Sequence, residues 1–137
     1  MRSFVFALLG LIAGADAAQA QVWLTVADAE GRFQLEMPVP FDLPPAETEA
    51  DGTVTFAYVH ETPEVVLRFE VVDHDEAKRT LPTVDGKTWG GERLVQMSSH
   101  VVGRRTYRMV AIFPPKLAGD AMILRFMQSV RYHDDLN

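Results

Sequence analysis

Apolar and polar residues alternate along most of the chain. Phe33, Leu35 and Met37 alternate with charged or amide side chains, and Pro38 ends the run. Successive side chains of a strand point to opposite faces, so this spacing predicts a strand with one buried face. The apolar positions within 23–26 fit either a short entry strand or a helical turn.

Two further strands are predicted in the middle of the chain, at 52–60 and 65–73, joined by a turn at 61–64. The second of them places apolar residues on one face at every second position. Its other face mixes apolar residues with Arg68 and Glu70. Because apolar residues occur on both faces, this strand is expected to lie in the centre of its sheet and to be covered on both sides.

A second strand pair is predicted at 93–102 and 105–113, with its turn near Gly103. Pro114 and Pro115 follow directly and should end the second strand of the pair. The prolines and glutamates of 39–51 predict a surface connection. The segment 75–92 is charged and then rich in Gly, Thr and Pro; it predicts turns at 85–86 and 90–91 and a short helix at 76–81.

The apolar period changes from two to that of a helix near the end of the chain. The apolar positions there form one continuous stripe on a helix: Met122, Ile123, Phe126, Met127 and Val130. Asp120 is expected in the first turn, where the helix dipole favours a negative charge. The sequence therefore predicts an α+β domain: an antiparallel sandwich with a sheet of five to six strands, one face of which is covered by this C-terminal helix.

The first 20 residues have the features of a cleavable secretory signal peptide. Arg2 supplies a positive start, 4–15 is apolar or small throughout, and 18–20 offers a small-x-small cleavage site. The apolar run stops at Asp16, well short of the roughly 20 residues that a membrane span needs. We therefore expect cleavage near Ala20 and a periplasmic or secreted protein with no transmembrane segment after processing.

Removing the leader leaves 21–137, a length typical of a single domain. The chain has no cysteine, which excludes disulfides, thiolate metal sites and cysteine nucleophiles. The stability of the domain must therefore come from packing.

Charge is distributed unevenly along the chain. Residues 21–76 hold 13 acidic and two basic residues, a net charge of −11, whereas 77–137 hold ten basic and five acidic residues, a net charge of +5. Two interpretations are open. The halves could pack together so that opposite charges become neighbours, or one face could be made for a charged partner. The overall charge of −6 and the absence of a basic run argue against nucleic-acid binding.

The layout of anchor residues resembles that of the PsbP-like superfamily. The similarity lies in Arg32-Phe33-x-Leu35-x-Met37-Pro38, two central strand pairs, Arg105-x-Tyr107, and Arg125-Phe126-Met127-x-Ser129-Val130 on a closing helix. That superfamily includes the extrinsic photosystem II subunit, a nuclear-import factor and many uncharacterised exported bacterial proteins. The resemblance implies an antiparallel sheet flanked by helices and an accessory or binding role, and it assigns no functional residue.

The densest group of chemically active residues is Asp73, His74, Asp75 and Glu76. Carboxylate oxygens with one imidazole suit a divalent metal ion such as Ca²⁺, Mn²⁺ or Zn²⁺. Pairing the hairpin about its turn brings Asp51 to the same end. Asp51, Asp73, His74 and Asp75 are thus the candidate metal ligands, and a charged, solvated strand end is the alternative.

A second group of candidates lies in predicted loops. Arg104 and Arg105, with Arg108, could hold an anion or an acidic partner near the Gly103 turn. Trp89, within 87–92, should either fold onto the core or meet a ligand.

The sequence lacks the Gly-x-Ser-x-Gly elbow of a serine hydrolase, and Ser98, Ser99 and His100 are consecutive strand positions that diverge. We therefore expect a non-catalytic binding domain that meets a protein or a small ligand in the cell envelope through 87–92 and the Gly103 turn. A metal-binding protein or metal-dependent enzyme is the first alternative, and a carrier with an apolar cavity beneath the helix is the second.

Overall fold

A computed structural model describes residues 21–75, 87–89 and 92–133, and for 87–89 it describes the backbone alone. The predicted signal peptide, the helix at 76–81 and the turns at 85–86 and 90–91 lie outside the described residues. No helix within the described part is long and apolar enough to cross a membrane.

The described chain forms short strands, one short 3₁₀-helix at Pro115–Leu117 and one α-helix. The strands and helix, in chain order, are β1 Trp23–Ala27, β2 Phe33–Pro38, β3 Glu47–Thr48, β4 Val54–Glu61, β5 Val66–Asp73, β6 Lys87–Trp89, β7 Arg93–Val102, β8 Arg105–Phe113, α1 Ala121–Gln128 and β9 Arg131–Tyr132. The α+β class, the antiparallel pairing and the helix near the C-terminus are thus confirmed.

The strands are divided between two antiparallel sheets. One has six strands in the order β3-β4-β5-β8-β7-β6, and the other has three in the order β9-β2-β1. The sequence predicted a single sheet, and that part of the prediction was wrong. Alternation predicts that a strand has a buried face, but it does not predict which strands pair with each other.

The three-stranded sheet packs on one face of the six-stranded sheet, hereafter the first face. Phe33 of β2 meets Phe69 of β5 with ring centroids 5.0 Å apart and Tyr107 of β8 at 5.6 Å. All three side chains are buried, as are Leu35 and Met37. Edge-on and tilted aromatic contacts of this kind add to the stabilisation that burial of the rings gives.

The helix α1 closes the same core from the end of β2. Ile123 and Phe126 are buried with the core residues of both sheets, as the apolar stripe predicted. Asp120 is the N-cap residue, and its carboxylate accepts a hydrogen bond of 3.0 Å from the Met122 amide. At the other end, the Ser129 hydroxyl accepts a hydrogen bond of 3.0 Å from the Glu36 amide. The C-terminal end of the helix is therefore attached to Glu36 of β2, beyond the residues of β2 that pair with β9.

The predicted central position of 65–73 is confirmed, because β5 lies between β4 and β8. On its first face Leu67, Phe69 and Val71 are buried, whereas its second face carries Arg68 and Glu70 together with the buried Val72. The proline-rich stretch runs along the outer edge of β4, where Asp42 bridges Val59 and β3 pairs further on. Prolines suit such an edge because they have no amide to donate to a ladder.

Candidate functional site

The described surface contains a groove of about 610 Å³, open to solvent, at one end of the six-stranded sheet. We call it the Pro63 groove. It is formed where the β4–β5 turn, the start of β7 and the segment after β8 meet. Its lining residues are Pro63, Glu64, Glu92, Arg93, Pro114, Pro115 and Lys116.

The walls of the Pro63 groove are held by polar contacts. The Arg93 guanidinium donates a hydrogen bond of 2.7 Å from Nη2 to the Pro63 carbonyl oxygen. Lys116 Nζ lies 2.7 Å from a carboxylate oxygen of Glu64. Proline rings are rigid and offer no amide donor, so the groove presents apolar ring surfaces between paired charges. These contacts connect the β4–β5 turn to the start of β7 and to the segment after β8.

The backbone of Trp89 lies next to this groove. Trp89 pairs with Arg93 in the β6–β7 ladder, so the strand that carries the tryptophan borders a lining residue. The sequence predicted a loop at 87–92, whereas 87–89 form an edge strand. The position of the Trp89 side chain lies outside what the structure describes.

The three candidate arginines near Gly103 are not brought together. Arg104 is exposed in the turn itself. Arg105 lies on the first face of the sheet, opposite Asp73, and Arg108 lies on the second face, opposite Glu70. Neighbouring strand residues point to opposite faces, so a single anion cannot contact all three. The Gly103 turn is also about 30 Å from Trp89, since the ten residues of β7 separate them.

Arg105 is held in a bidentate ion pair. Its Nε donates to Asp73 Oδ1 at 2.6 Å and its Nη2 donates to Asp73 Oδ2 at 3.1 Å. Only 14% of the Arg105 side chain is exposed. Burial acts against its charge, but hydrogen bonds to Asp73 and Tyr107 raise the pKa of Arg105 above its ordinary value. The Arg105 guanidinium is thus held by a contact within the protein.

The candidate metal ligands meet other partners. Besides the Asp73 ion pair, His74 Nε2 lies 3.0 Å from Thr106 Oγ1, and the Asp51 carboxylate accepts a hydrogen bond of 2.9 Å from the Thr53 amide. The predicted register is correct, because Val54 pairs with Asp73 and brings the Asp51 turn to this end of the hairpin.

Among the described residues, no three His, Asp or Glu side chains are arranged to hold a metal ion. Glu76, the fourth residue of the sequence cluster, lies outside them. Metal binding therefore stays a prediction, which elemental analysis before and after treatment with a chelator tests.

Comparison of the chain with models of protein families, with curated proteins and with solved structures found no match. The site must be interpreted from its own chemistry.

Sequence reasoning missed a charged network on the second face. Glu70 lies between two arginines, with Arg68 Nε at 2.5 Å and Arg108 Nε at 3.1 Å. Alternation correctly placed Arg68 and Glu70 on one face, but the contact with Arg108 depends on the pairing of β5 with β8.

A further ion pair, also missed, ties the tip of the β1–β2 hairpin. Arg32 donates to Asp28 through Nε at 2.5 Å and Nη2 at 3.1 Å. Hydrogen bonding to Arg32 lowers the pKa of Asp28, although burial acts in the opposite direction. Nearby, burial and the Asp28 charge raise the pKa of Tyr58. These groups stabilise the tip against the core.

The Pro63 groove was missed as well, although its prolines are conspicuous in the sequence. Pro63 lies in the turn before β5, and the prolines at 114–115 directly follow β8. Because the start of β5 pairs with the end of β8, the fold brings these prolines together. A pattern along the chain gives no distance between two such ends.

The carrier hypothesis required a cavity beneath the helix. The described helix face is packed with side chains there, since Ile123 is 1% exposed and Phe126 is fully buried. Bound apolar ligand stays a prediction that mass spectrometry under native conditions tests.

Proposed function

We propose that this chain is an exported accessory domain that acts by binding, without catalysis, and that it holds an extended segment of another cell-envelope protein in the Pro63 groove. The observation that carries the proposal is the groove itself. It is a concave surface at the end of the sheet where Trp89 pairs with Arg93, within the segment expected to make contact.

The chemistry of the groove favours a polypeptide over a small anion or cation. Two acidic and two basic residues line it, so their charges cancel at neutral pH. Its volume is within the range of ligand sites, but it is open, which suits a chain that enters and leaves at the two ends. The Pro63 carbonyl already accepts a hydrogen bond from Arg93, so this backbone group is satisfied before a segment binds.

The PsbP-like sandwich is part of this proposal. What supports it is the order of elements, with β2 early, two central strand pairs and a closing helix near the C-terminus. Export is proposed on the signal-peptide features of 1–20. Expression of the full chain in a Gram-negative host should give a periplasmic protein whose first residue, by N-terminal sequencing, is near Gln21. Retention of Met1 on a cytoplasmic product would contradict export.

A photoreactive residue at Lys116 tests the binding site, because 68% of this side chain is exposed at the groove. Irradiation in the native cell envelope should give discrete crosslinked products that depend on the groove. Introducing Arg93→Glu in the same chain should reduce their yield several-fold, since the Pro63 carbonyl would lose its donor. The matched control places the photoreactive residue at Thr25, which is exposed on the other sheet. Equal crosslinking from Thr25 and Lys116 would overturn the proposal.

A further inference from the structure

Two arginines lie beside one carboxylate on the second face of the six-stranded sheet. Glu70 of β5 is directly opposite Arg108 of β8, and Arg68 precedes Glu70 by two residues on its own strand. Arg68 Nε lies 2.5 Å from Glu70 Oε2, and Arg108 Nε lies 3.1 Å from Glu70 Oε1. The two guanidinium groups are therefore held next to each other by the two oxygens of a single carboxylate. We call these three residues the Arg–Glu–Arg cluster.

The Arg–Glu–Arg cluster has one positive charge in excess. Among the described residues, Glu70 is the only carboxylate within ion-pair distance of either guanidinium. Arg108 is the less satisfied of the two, because its Nε is buried and its contact with Glu70 lacks the alignment of a hydrogen bond. By contrast, Arg105 on the first face is paired with its own aspartate. The cluster can therefore accept a further anion.

Both arginines of the cluster reach solvent. The exposed fraction of the side chain is 33% for Arg68 and 32% for Arg108, whereas that of Glu70 is 16%. Each arginine meets Glu70 through Nε, the guanidinium nitrogen closest to the backbone. A guanidinium has four further N–H donors on its two outer nitrogens. Glu70 thus orders the two cations and leaves their outer donors for a ligand that arrives from solvent.

The sheet beneath the cluster is apolar. Ala57 is directly opposite Glu70 on β4, Val110 is directly opposite Arg68 on β8, and both are buried. An anion between the two arginines would be shielded from water on this side. Its attraction to the guanidinium groups would be stronger there than between arginines surrounded by solvent.

A hydroxyl group lies on the same face. Ser99 of β7 is exposed and directly opposite Arg108, and directly opposed residues of neighbouring strands share a face. We propose that Arg68, Arg108 and Ser99 bind a phosphate group. A tetrahedral oxyanion offers enough oxygens for donors from three adjacent strands, and arginine suits it because its planar fork can bind two oxygens at once. The site shares no residue with the Pro63 groove and does not depend on the function proposed for it.

Inorganic phosphate tests the site directly. Isothermal titration calorimetry of the purified protein should detect binding at an ionic strength held constant with sodium chloride, which screens unspecific attraction. Arg108→Gln should weaken the binding several-fold, and so should Arg68→Gln, a second variant on another strand. Arg104→Gln is the matched control, since it removes the same charge from the exposed Gly103 turn and should leave the affinity unchanged. Circular dichroism checks that the variants are folded.

Two comparisons separate a phosphate site from attraction by charge alone. Arg108→Lys keeps the charge but loses the planar fork, so it should also weaken binding several-fold. Acetate, which has only two oxygens, should bind several-fold more weakly than phosphate. Sedimentation with phosphatidylglycerol vesicles identifies the source of the group: co-sedimentation that Arg108→Gln abolishes assigns it to a lipid headgroup, and phosphate binding without co-sedimentation assigns it to a soluble phosphate.

Four results would overturn the proposal. They are no heat of binding with phosphate, an affinity that Arg108→Gln or Arg108→Lys leaves unchanged, an equal loss in Arg104→Gln, and acetate that binds as tightly as phosphate.

Discussion

The charged residues of this domain differ in how much they stabilise it, because they differ in burial. The Arg105–Asp73 pair is bidentate and has its cation largely buried, whereas Lys116 and Glu64 are 68% and 54% exposed. Solvent weakens an exposed pair, and ordering two long side chains offsets most of what remains. A buried cation that loses its partner is not solvated by water in the partner's place, so the loss of stability is larger.

Asp73→Asn should therefore destabilise the domain by about 1–3 kcal/mol, since Arg105 would lose its charged acceptor in a partly buried position. Urea denaturation at neutral pH measures the change in the free energy of unfolding. Glu64→Gln is the control and should cost roughly 0–1 kcal/mol. Similar losses in the two variants would show that the burial of Arg105 does not matter.

Asp28 should contribute to the stability of the domain in a pH-dependent way. Hydrogen bonding to Arg32 lowers the pKa of Asp28 in the folded protein below its ordinary value of 3.8. The folded state therefore binds fewer protons than the unfolded state as the carboxyl titrates. The stabilisation is complete above the unfolded pKa and is lost as the pH falls through the lower folded pKa.

Asp28→Asn should consequently be less stable at neutral pH, and its melting temperature should fall less steeply with acidification below about pH 5 than that of the parent. Glu30→Gln is the control, because Glu30 is 73% exposed and 3.6 Å from the same arginine. The prediction would be contradicted if the melting temperatures of the parent and of Asp28→Asn fell in parallel from about pH 6 to pH 2. This range spans roughly the ordinary carboxyl pKa.

At the scale of elements, the long β7–β8 hairpin depends on its turn. Gly103 has φ of +57°, a backbone conformation that residues with a Cβ rarely adopt. Space is not the constraint, since a Cβ at this position would meet nothing within 4 Å. The glycine is required by backbone conformation alone.

Gly103→Ala should thus cost roughly 1–2 kcal/mol from backbone strain. Thermal unfolding followed by circular dichroism measures it. Arg104→Ala, in the same turn but without a positive φ, should change the melting temperature little. Equal losses from both substitutions would mean that the strain argument is wrong.

Elements were more predictable than their arrangement. The bounds of β7, β8 and their turn follow directly from alternation and a glycine, because both are local properties of the chain. By contrast, β6 and β9 are too short to show a period, and they form only because a longer strand offers a ladder beside them. The sequence of β2 likewise did not indicate that this strand belongs to a separate sheet.

At the scale of the whole molecule, the uneven charge of the chain is resolved by folding. Ion pairs join the acidic first half to the basic second half: Asp73 with Arg105, Glu70 with Arg108, Glu64 with Lys116 and Glu36 with Arg125. Of the two interpretations of the charge pattern, these contacts support the packing of the halves against each other.

The halves should therefore not fold separately. A fragment of residues 21–75 keeps β1 to β5 but lacks β8, the neighbour of β5, and the buried Tyr107, Met109 and Phe126. It should lack a cooperative unfolding transition in urea, since six of the 13 buried residues of the described core cluster lie beyond residue 75. The control is the chain 21–137, which should unfold in one transition. Cooperative unfolding of the fragment alone would contradict the interdependence of the halves.

The local periods of two and 3.6 residues were sufficient to predict the longer strands, the helix and their apolar faces. The sequence also determined that packing without disulfides must stabilise the domain. The three-dimensional structure was needed to show that the strands form two sheets, that Arg105 and Arg108 lie on opposite faces, and that distant prolines line one groove. The physical reason is that pairing and proximity are relations between segments far apart in the chain, set by how their buried faces fit together, and no single segment records them.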